Sequence, residues 1–471
     1  MTATPHTLRT LFDAQHRASR AQIDVPLSLR RERLQRIAHL LDDHGGALAQ
    51  AVQQDFGVRS PQLTEIADIF VLRSLLSTTL KKLSKWMKPV RVGTPLYLLP
   101  ARAFLQRQPL GVVGVVSPWN YPVQLSLGPV ITALAAGNRV MLKPSELTPA
   151  TSALLEKLLG EAFAPDEVCV VQGDGELAAA FAALPFDHLF FTGSTAVGRK
   201  VAEAAAANLT PTTLELGGKS PCIVDASCDL DSAAIKIAHG KLLNAGQTCI
   251  APDYVLLPRG REAAFGEAFA RAVAQLFPTI SGNPDYAAII SPRHHERLQA
   301  LLAQAEAGGA RLQVVNPGNA AATDSRQMAP VLVFDTAADS KLLSEEIFGP
   351  ILPVLAYSTM DEAIRYINER PRPLALYWFG TDTESRDDVL ARTVSGGVTV
   401  NDTLMHIAHE NLPFGGVGDS GWGSYHGEAG FLRLTQQKSV LVQSKWARGD
   451  LFYPPYGKRF DQVMGLLKRL V

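Results

Sequence analysis

The sequence predicts an α/β protein built from doubly wound parallel sheets, and three observations support this fold class. From residue 111 onward, short runs of valine, isoleucine, leucine and phenylalanine alternate with amphipathic stretches of helical periodicity. Each strand-and-helix unit takes about 25 to 30 residues, the length that a β-α-β crossover needs. The alternation starts afresh near residue 215. We therefore expect two doubly wound α/β lobes.

The first lobe is expected to begin with a long amphipathic helix. Between Leu27 and Phe56, apolar residues recur at helical spacing with arginine, aspartate and glutamine between them. Further helices are predicted over 129–136 and 148–163 and in the segments GELAAAFAAL and TAVGRKVAEAAAANL. Buried parallel strands have uninterrupted apolar runs, and this pattern occurs in VVGVV, RVMLKP, VCVVQG and HLFFTG.

The second lobe is predicted to cover 215–400. Its strands are expected in TTLELGG, SPCIVD, YVLLP, VLVF, ILPVLAY and ALYWFG, and its helices over 230–243, 261–277, 296–307 and 362–368. Outside both lobes, residues 97–108 alternate weakly between prolines, which is typical of an edge hairpin or an arm. The β-prone tail segment SVLVQSKW could pair with that arm.

Composition and charge argue against several classes of protein. The 471 residues include 45 Lys plus Arg and 45 Asp plus Glu, so a nucleic-acid binder that relies on neutralising phosphates is not expected. Residues 108–138 contain no charge, but prolines and glycines divide them into pieces shorter than the roughly 20 residues of a membrane-spanning helix. The N-terminal segment lacks the apolar stretch of a signal peptide, and the apolar patch of the tail is too short to span a bilayer. We expect a cytoplasmic protein without a stable membrane anchor.

Three residues are candidates for acyl-transfer chemistry. Cys249 follows glycine and polar residues in NAGQTCIAP and could act as a nucleophile, whereas Cys169, Cys222 and Cys228 have the apolar surroundings of core residues. Glu215 ends an apolar strand, where a raised pKa would favour general-base chemistry. Asn120 offers a side-chain N–H to an oxyanion. Each also has an ordinary structural explanation: a buried cysteine, a glutamate paired with Lys219, and an asparagine that fixes a turn.

Phosphate groups could be bound where strands meet helices, although the GxGxxG fingerprint of dinucleotide-binding folds is absent. Gly193, Ser194 and Gly198 stand between a strand and a helix, so backbone N–H groups and the helix dipole would face an anion. The alternative is a turn that caps a helix. Lys143 and Glu146 in LKPSE follow a strand end and could hold ribose hydroxyls, or they could belong to a solvated loop.

Two further motifs do not point to a site. GDSG at 418–421 is found in serine proteases, but the α/β pattern and the few cysteines argue against a secreted two-barrel protease. The histidine pairs at 294–295 and 406–409 have no carboxylate or cysteine at ligand spacing, and the cysteines lack the paired spacing of zinc sites. We expect no metal.

The order of the motifs PWNYP, LKPSE, FTGS, LELGGK, GQTC, EEIFGP and PFGG resembles the aldehyde dehydrogenase superfamily over 118–416. GQTCIAPDY and LPFGGVGDSGWGSYHG resemble its class 3 branch. Within that branch, VNDTLMHIAHENLPFGGVG together with GTPLYLLPAR resembles the bacterial coniferyl aldehyde dehydrogenases.

The resemblance implies a role for each matching residue. It implies Cys249 as nucleophile, Glu215 as base and Asn120 as oxyanion donor. It also implies NAD or NADP as cofactor, bound on a five-stranded Rossmann variant, which would explain the missing GxGxxG. The implied cofactor-binding residues are Pro118, Trp119, Lys143, Glu146, Gly193, Ser194, Gly198, Glu346 and Phe348, and the candidate substrate-lining aromatics are Tyr121 and Phe414, with Trp378 and Trp422 weighed beside them.

The resemblance further implies a domain plan. Residues 1–88 and 109–214 would form a dinucleotide-binding domain and 215–400 a catalytic domain. Residues 89–108 and 401–471 would form a small β oligomerisation arm and a C-terminal tail, which pair two subunits in a homodimer. The implied reaction is oxidation of a small-molecule aldehyde, aromatic and of the coniferyl type, to its carboxylic acid through a cysteine thiohemiacetal and thioester. The alternatives are a medium- or long-chain fatty aldehyde dehydrogenase, a cofactor-independent thioesterase or esterase, and a homologue without activity.

Overall fold

The computed structural model describes residues 4–319 and 326–470. Three stretches lie outside that description: residues 1–3 of the predicted cofactor domain, 320–325 of the second lobe and 471 of the tail. The helices are α1 (Pro5–Ala21), α2 (Leu27–Phe56), α3 (Pro61–Thr64), α4 (Val71–Trp86), α5 (Gln124–Ala136), α6 (Pro149–Ala162), α7 (Gly175–Ala182), α8 (Thr195–Ala206), α9 (Leu230–Leu242), α10 (Glu262–Leu276), α11 (Pro292–Ala307), α12 (Lys341–Ser344), α13 (Met360–Asn368), α14 (Thr383–Arg392), α15 (Gly427–Arg433) and α16 (Lys458–Leu470).

The strands form three sheets. They are β1 (Val90–Val92), β2 (Arg102–Pro109), β3 (Val112–Val116), β4 (Arg139–Lys143), β5 (Val168–Val170), β6 (His188–Thr192), β7 (Thr212–Glu215), β8 (Pro221–Val224), β9 (Tyr254–Pro258), β10 (Arg311–Val314), β11 (Val331–Phe334), β12 (Ile351–Tyr357), β13 (Ala375–Phe379), β14 (Gly397–Val400), β15 (Gly421–Trp422) and β16 (Thr435–Val442).

The first sheet has the order β15-β7-β6-β3-β4-β5. Its five strands from β7 to β5 are parallel, and the short β15 joins the edge in antiparallel orientation, with Gly421 opposite Glu215. β3, β4 and β6 are buried along their whole length, as their apolar runs predict. Strand order reverses between β3 and β6, the position at which open α/β sheets bind ligands. The predicted doubly wound first lobe is therefore confirmed, and β15 from the tail is an unpredicted addition to its sheet.

The second sheet has the order β10-β11-β12-β9-β8-β13-β14. All its pairs are parallel except β10 with β11. The six strands predicted from TTLELGG to ALYWFG are present, the first of them as β7 in the other sheet. Helices α9, α10, α11 and α13 match the predicted helices to within a few residues, except that α11 starts at Pro292, behind the N-cap Ser291.

The third sheet pairs the arm with the tail. β2 lies between β1 and β16, antiparallel to both, with Leu105 opposite Ser439. This pairing confirms the prediction that SVLVQSKW contacts the arm, although the strand begins earlier, at Thr435. Both β1 and β16 expose apolar side chains, namely Val90, Val92, Leu441 and Val442.

The uncharged run becomes β3, a loop and the buried helix α5. Every residue of α5 after Gln124 is buried, and Pro129 lies inside the helix. Gly137 ends α5 with φ of +92°, where a side chain would collide with Arg30 and Pro109. Among the described residues, no helix is long and apolar enough to cross a membrane.

Loops that follow or precede strands of both large sheets line one cleft. β7 ends at Glu215 and β8 starts only six residues later, at Pro221. The carboxyl ends of β3, β6 and β7 in the first sheet therefore face the loops that lead into β8, β9 and β12 in the second. Loops from both sheets can thus contribute side chains to the same cleft.

Candidate active site

A cleft of about 610 Å³ lies between the two large sheets and gathers most of the predicted site residues. It is lined by the loop after β3, by the ends of β6 and β7, and by the segments that precede β9, β12 and β13. The predicted residues on its walls are Pro118, Trp119, Asn120, Gly193, Ser194, Glu215, Cys249, Glu346 and Phe348.

Cys249 lies in the segment that precedes β9. Burial raises the pKa of its thiol to about 12, and the carboxyl groups of Glu346 and Glu215 act in the same direction. The backbone N–H groups of Cys249 and Ile250 oppose this shift. The thiol is therefore protonated at neutral pH, and it needs a base to become a nucleophile rather than a lowered pKa of its own.

Asn120 is buried in the loop after β3, and hydrogen bonds fix its amide. Its Nδ2 donates to the carbonyl of Gln247 at 3.2 Å, two residues before Cys249. Its own backbone carbonyl accepts from Asn244 at 3.0 Å and from Arg59 at 2.5 Å. A side-chain amide has two N–H bonds, so one can anchor the group while the other serves a ligand.

Glu215 ends β7 on the cleft wall and is only 3% exposed. Neither of its carboxyl oxygens has a hydrogen-bond partner among the described residues. Burial raises its pKa well above the usual value. The alternative pairing with Lys219 does not form, because the Lys219 ammonium lies 2.5 Å from a carboxyl oxygen of Asp253. A buried carboxyl group with a raised pKa and no partner is a stronger base than an ordinary glutamate and is suited to accept a proton.

Glu346 and Phe348 line the cleft from the segment before β12. Burial, followed by the charge of Asp253, raises the pKa of Glu346 to about 8, while the N–H of Gly218 opposes the shift. Phe348 has φ of +53°, a conformation that side-chain-bearing residues rarely adopt and that is concentrated at functional sites. Its ring meets Trp119 edge-on, with centroids 5.3 Å apart.

The start of α8 forms the polar end of the cleft. Ser194 caps this helix, since its hydroxyl accepts from the N–H of Val197. Thr195, Ala196 and Arg199 from the start of α8 also line the cleft, where Arg199 is paired with Asp419 at 2.8 Å. The N–H groups of a helix N-terminus favour an anionic group. Gly198 lies deeper in α8, where a side chain would collide with Leu216. The glycine therefore allows α8 to pack closely against Leu216.

Lys143 and Glu146 lie at the end of β4, outside the described lining of the cleft. The Lys143 ammonium is buried and contacts a Glu146 carboxyl oxygen at 2.9 Å. The Glu146 side chain is 52% exposed. A wholly solvated loop is therefore ruled out for Lys143, and both residues share the carboxyl edge of the first sheet with the cleft.

The aromatic candidates Tyr121 and Phe414 are buried, with 7% and 4% of their surfaces exposed. The Tyr121 hydroxyl is hydrogen bonded to Thr248 at 2.7 Å. Phe414 is stacked between the rings of His406 and His426. Neither residue is part of the described cleft lining.

The two tryptophans that the sequence suggested beside them have structural roles. Trp378 packs in a separate hydrophobic core under the second sheet. Trp422 donates from its indole nitrogen to the Thr212 hydroxyl at 2.9 Å and is partly exposed. Neither tryptophan lines the described cleft.

The motifs set aside in the sequence also have structural explanations. Ser420 in GDSG bonds to the backbone N–H and carbonyl of Val417, which closes a turn. His294 packs against Trp119, and His406 is hydrogen bonded to Thr399. In residues 4–319 and 326–470, no group of three or more histidine, cysteine, aspartate or glutamate side chains could hold a metal ion.

A buried charge cluster beneath Glu346 was not foreseen. Asp253 pairs with Lys219, lies 3.7 Å from the ammonium of Lys241, and accepts from the N–H of Ile347. Burial lowers the pKa of Lys241 to about 8. The cluster supports the segment that carries Glu346 and Phe348. No sequence pattern links these residues, because their partners are up to about a hundred positions apart.

Comparison with known proteins identifies the family of the chain. The model of the aldehyde dehydrogenase family matches residues 1–440. A probable coniferyl aldehyde dehydrogenase of Caulobacter vibrioides is 48% identical over 93% of this chain and 92% of its own length. The coniferyl aldehyde dehydrogenase of a Pseudomonas species is 45% identical over 98% of this chain and 96% of its own. The solved structure of Staphylococcus aureus AldH in a substrate-bound state superimposes with a TM-score of 0.92, at 36% identity, over 98% of this chain and 99% of that one.

The chain therefore belongs to the aldehyde dehydrogenase family. It has the fold of that family and is an enzyme of the aldehyde-oxidising type, for which NAD(P) is the typical cofactor. The cleft fits such a dinucleotide. Gly217 leaves space that a side chain would take from the Glu346 carboxyl group, and the first turn of α8 supplies N–H groups for an anion.

Proposed function

We propose that this aldehyde dehydrogenase oxidises an aromatic aldehyde of the coniferyl type to its carboxylic acid. The observation that carries the proposed chemistry is the convergence of Cys249, Asn120 and Glu215 on one cleft. A nucleophile, an oxyanion donor and a base are the three groups that oxidation through a thioester requires. The aromatic substrate class is supported by the similarity to two relatives named for coniferyl aldehyde.

The chain's own residues would act in two stages. In the first, Cys249 loses its proton to a neighbouring base and its sulfur adds to the aldehyde carbon, giving a thiohemiacetal. The second N–H of Asn120 and the backbone N–H of Cys249 stabilise the oxyanion. After oxidation the acyl group remains on Cys249 as a thioester. In the second stage Glu215 takes a proton from water, which attacks the thioester and releases the acid.

The cofactor would be held along the same cleft. When bound, NAD or NADP supplies the two-electron acceptor for the oxidation. Glu346 and Phe348 would hold the nicotinamide ribose, with Pro118 and Trp119 beside it. Gly193 and Ser194 would face the pyrophosphate, and Gly198 would let the helix start pack closely. Lys143 and Glu146 would contact the adenosine ribose, where Glu146 disfavours a 2′-phosphate unless its exposed side chain turns away.

Substrate choice is tested with three aldehydes. Tyr121, hydrogen bonded to Thr248, and Phe414, whose neighbour Gly415 lies close to the Glu215 carboxyl group, would support the aromatic binding surface from behind the described lining. We expect the highest kcat/KM for coniferyl aldehyde, followed by benzaldehyde and a long-chain alkanal, each assayed with NAD and with NADP. A tenfold preference for the alkanal would indicate a fatty aldehyde dehydrogenase, and ester hydrolysis without any aldehyde oxidation would indicate an esterase.

The domain plan and the assembly belong to the same proposal. Support for a cofactor domain of 1–88 and 109–214 and a catalytic domain of 215–400 comes from the strand membership of the two large sheets. The apolar residues exposed on β1 and β16 support a homodimer formed through the arm of 89–108 and the tail of 401–471. Light scattering of the purified protein tests the dimer, and cell fractionation tests the proposed cytoplasmic location.

A further inference from the structure

A fully buried arginine lies between the loops that carry the proposed nucleophile and the proposed oxyanion donor. Arg59, in the link between α2 and α3, is 0% exposed. Its Nη1 donates to the backbone carbonyl of Asn120 at 2.5 Å and to Oδ1 of Asn244 at 3.3 Å. Asn120 lies in the loop after β3, and Asn244 lies in the turn before Cys249. One guanidinium group therefore contacts both loops.

Asp68 compensates the charge of this arginine. Its Oδ2 lies 2.7 Å from Nη2 of Arg59, and both side chains are 0% exposed. Its Oδ1 accepts from the backbone N–H of Gln124 at 2.9 Å, at the start of α5. A buried ion pair is weak support for stability, since well-packed apolar residues often do as well. The specific geometry that the pair imposes is a better explanation for its presence.

The turn that carries Asn244 needs external support. Asn244 has φ of +52° and the next residue, Ala245, has φ of +53°. Such conformations persist where the surroundings hold them. Nδ2 of Asn244 donates to the carbonyls of Asn120 and Gln247, and Nδ2 of Asn120 donates to that same Gln247 carbonyl. The Arg59 bond to Oδ1 fixes the orientation of the Asn244 amide and closes this network.

The planar guanidinium of Arg59 also stacks on aromatic rings. It lies over the rings of Phe56, at 4.8 Å from the centroid, and Tyr121, at 5.0 Å. A lysine could keep the ion pair with Asp68, but it has neither the planar fork nor the ring stacking that lets arginine reach Asn120, Asn244 and Asp68 together.

We propose that Arg59, held by Asp68, is a positioning residue for aldehyde oxidation. By fixing the Asn120 peptide and the Asn244 side chain, it keeps the second N–H of the Asn120 amide directed at the carbonyl oxygen of an aldehyde on Cys249. This inference rests on the proposed function. Removing an oxyanion donor costs about 10² to 10³ in kcat, and a displacement of about 1 Å can cost about 10². Loss of the Arg59 contacts is therefore expected to lower kcat about 10- to 100-fold.

The test compares Arg59→Lys with Arg33→Lys. Arg33 is a matched control because it is also buried and ion-paired, to Glu167 at 2.9 Å, but lies outside the described cleft lining. The readouts are kcat and KM for coniferyl aldehyde with NAD, cofactor affinity, the rate of Cys249 alkylation by iodoacetamide, and Tm. We expect R59K to lower kcat as stated, with KM, cofactor affinity and alkylation changed less than about threefold. R33K should retain kcat.

A double-mutant cycle with Asn120→Ala distinguishes positioning from a general structural effect. If Arg59 acts through Asn120, R59K should lower the kcat of the N120A enzyme by less than about twofold. Full kcat in R59K, or effects of the two substitutions that multiply, would overturn the inference. If R59K does not fold, Asp68→Asn takes its place in the same cycle with the same expectations.

The inference and the proposed function fail in different ways. A wild-type enzyme that oxidises no aldehyde with NAD or NADP would remove the proposed function itself. An active wild type whose R59K and D68N variants are equally active would overturn only the role of Arg59.

Discussion

Replacing Glu215 with glutamine is expected to slow thioester hydrolysis far more than thioester formation. The side chain is buried and its two carboxyl oxygens have no partners among the described residues, so an amide of the same shape keeps the site intact. It removes only the ability to accept a proton. General-base catalysis contributes about 10² to 10⁴ in rate, which corresponds to about 3 to 5 kcal/mol of activation free energy. Steady-state turnover of E215Q should fall within that range.

Stopped-flow absorbance of the reduced cofactor measures both stages. We expect E215Q to show a burst approaching one reduced cofactor per active site, followed by the slow steady state. Acid quenching should then recover acylated enzyme. Because the pKa of Cys249 is raised to about 12, the thiol also needs a base. A burst slowed by the same factor as turnover would assign Glu215 to deprotonating the thiol and would refute the hydrolytic role.

The E215Q substitution is also expected to change how the stability of the protein depends on pH. Burial raises the pKa of Glu215 in the folded state, so the neutral form is favoured there. Its contribution to stability is fully present below the unfolded pKa, about 4.3, and is lost as pH rises through the folded pKa. The Tm of E215Q minus the Tm of the wild type should therefore increase as the pH rises from acidic to alkaline values. A constant difference in Tm across that range would contradict the raised pKa.

Three other substitutions test separate parts of the site. Cys249→Ala should abolish aldehyde oxidation and keep cofactor binding, measured by tryptophan fluorescence; retained turnover would exclude Cys249 as the nucleophile. Asn120→Ala should lower kcat about 10² to 10³ with a smaller change in KM, and an unchanged kcat would mean that other donors hold the oxyanion. Gly217→Ala places a methyl group against the Glu346 carboxyl group and should weaken cofactor binding about tenfold or more. Gly46→Ala, which faces open space, is its control, and equal affinities would exclude Glu346 from the cofactor site.

Much of the fold could be predicted because buried parallel strands leave a simple pattern. β3, β4 and β6 have every residue buried, and the central residues of each strand are apolar. β10 and β14 have no such pattern, since both are edge strands with only partial burial. Their short, mixed sequences resemble loops, and they were not predicted.

The site was predictable where one residue contrasts with its surroundings. Glu215 stands at the end of an apolar strand, and Asn120 lies within the uncharged run, so each is conspicuous in the sequence. Arg59 and Asp68 are not, because arginine and aspartate are common on surfaces and only the folded chain brings Arg59 to Asn120. The roles of Tyr121 and other aromatics are equally hard to read, since aromatic residues occur in most cores.

The most direct test of the account is to locate the acyl group on the enzyme. E215Q is incubated with coniferyl aldehyde and NAD, quenched with acid, digested and analysed by peptide mass spectrometry. We predict that the peptide containing Cys249 gains the mass of the coniferyl acyl group, and that no gain occurs in C249A or without cofactor. Formation of reduced cofactor and acid with no acyl group on Cys249 would contradict the account.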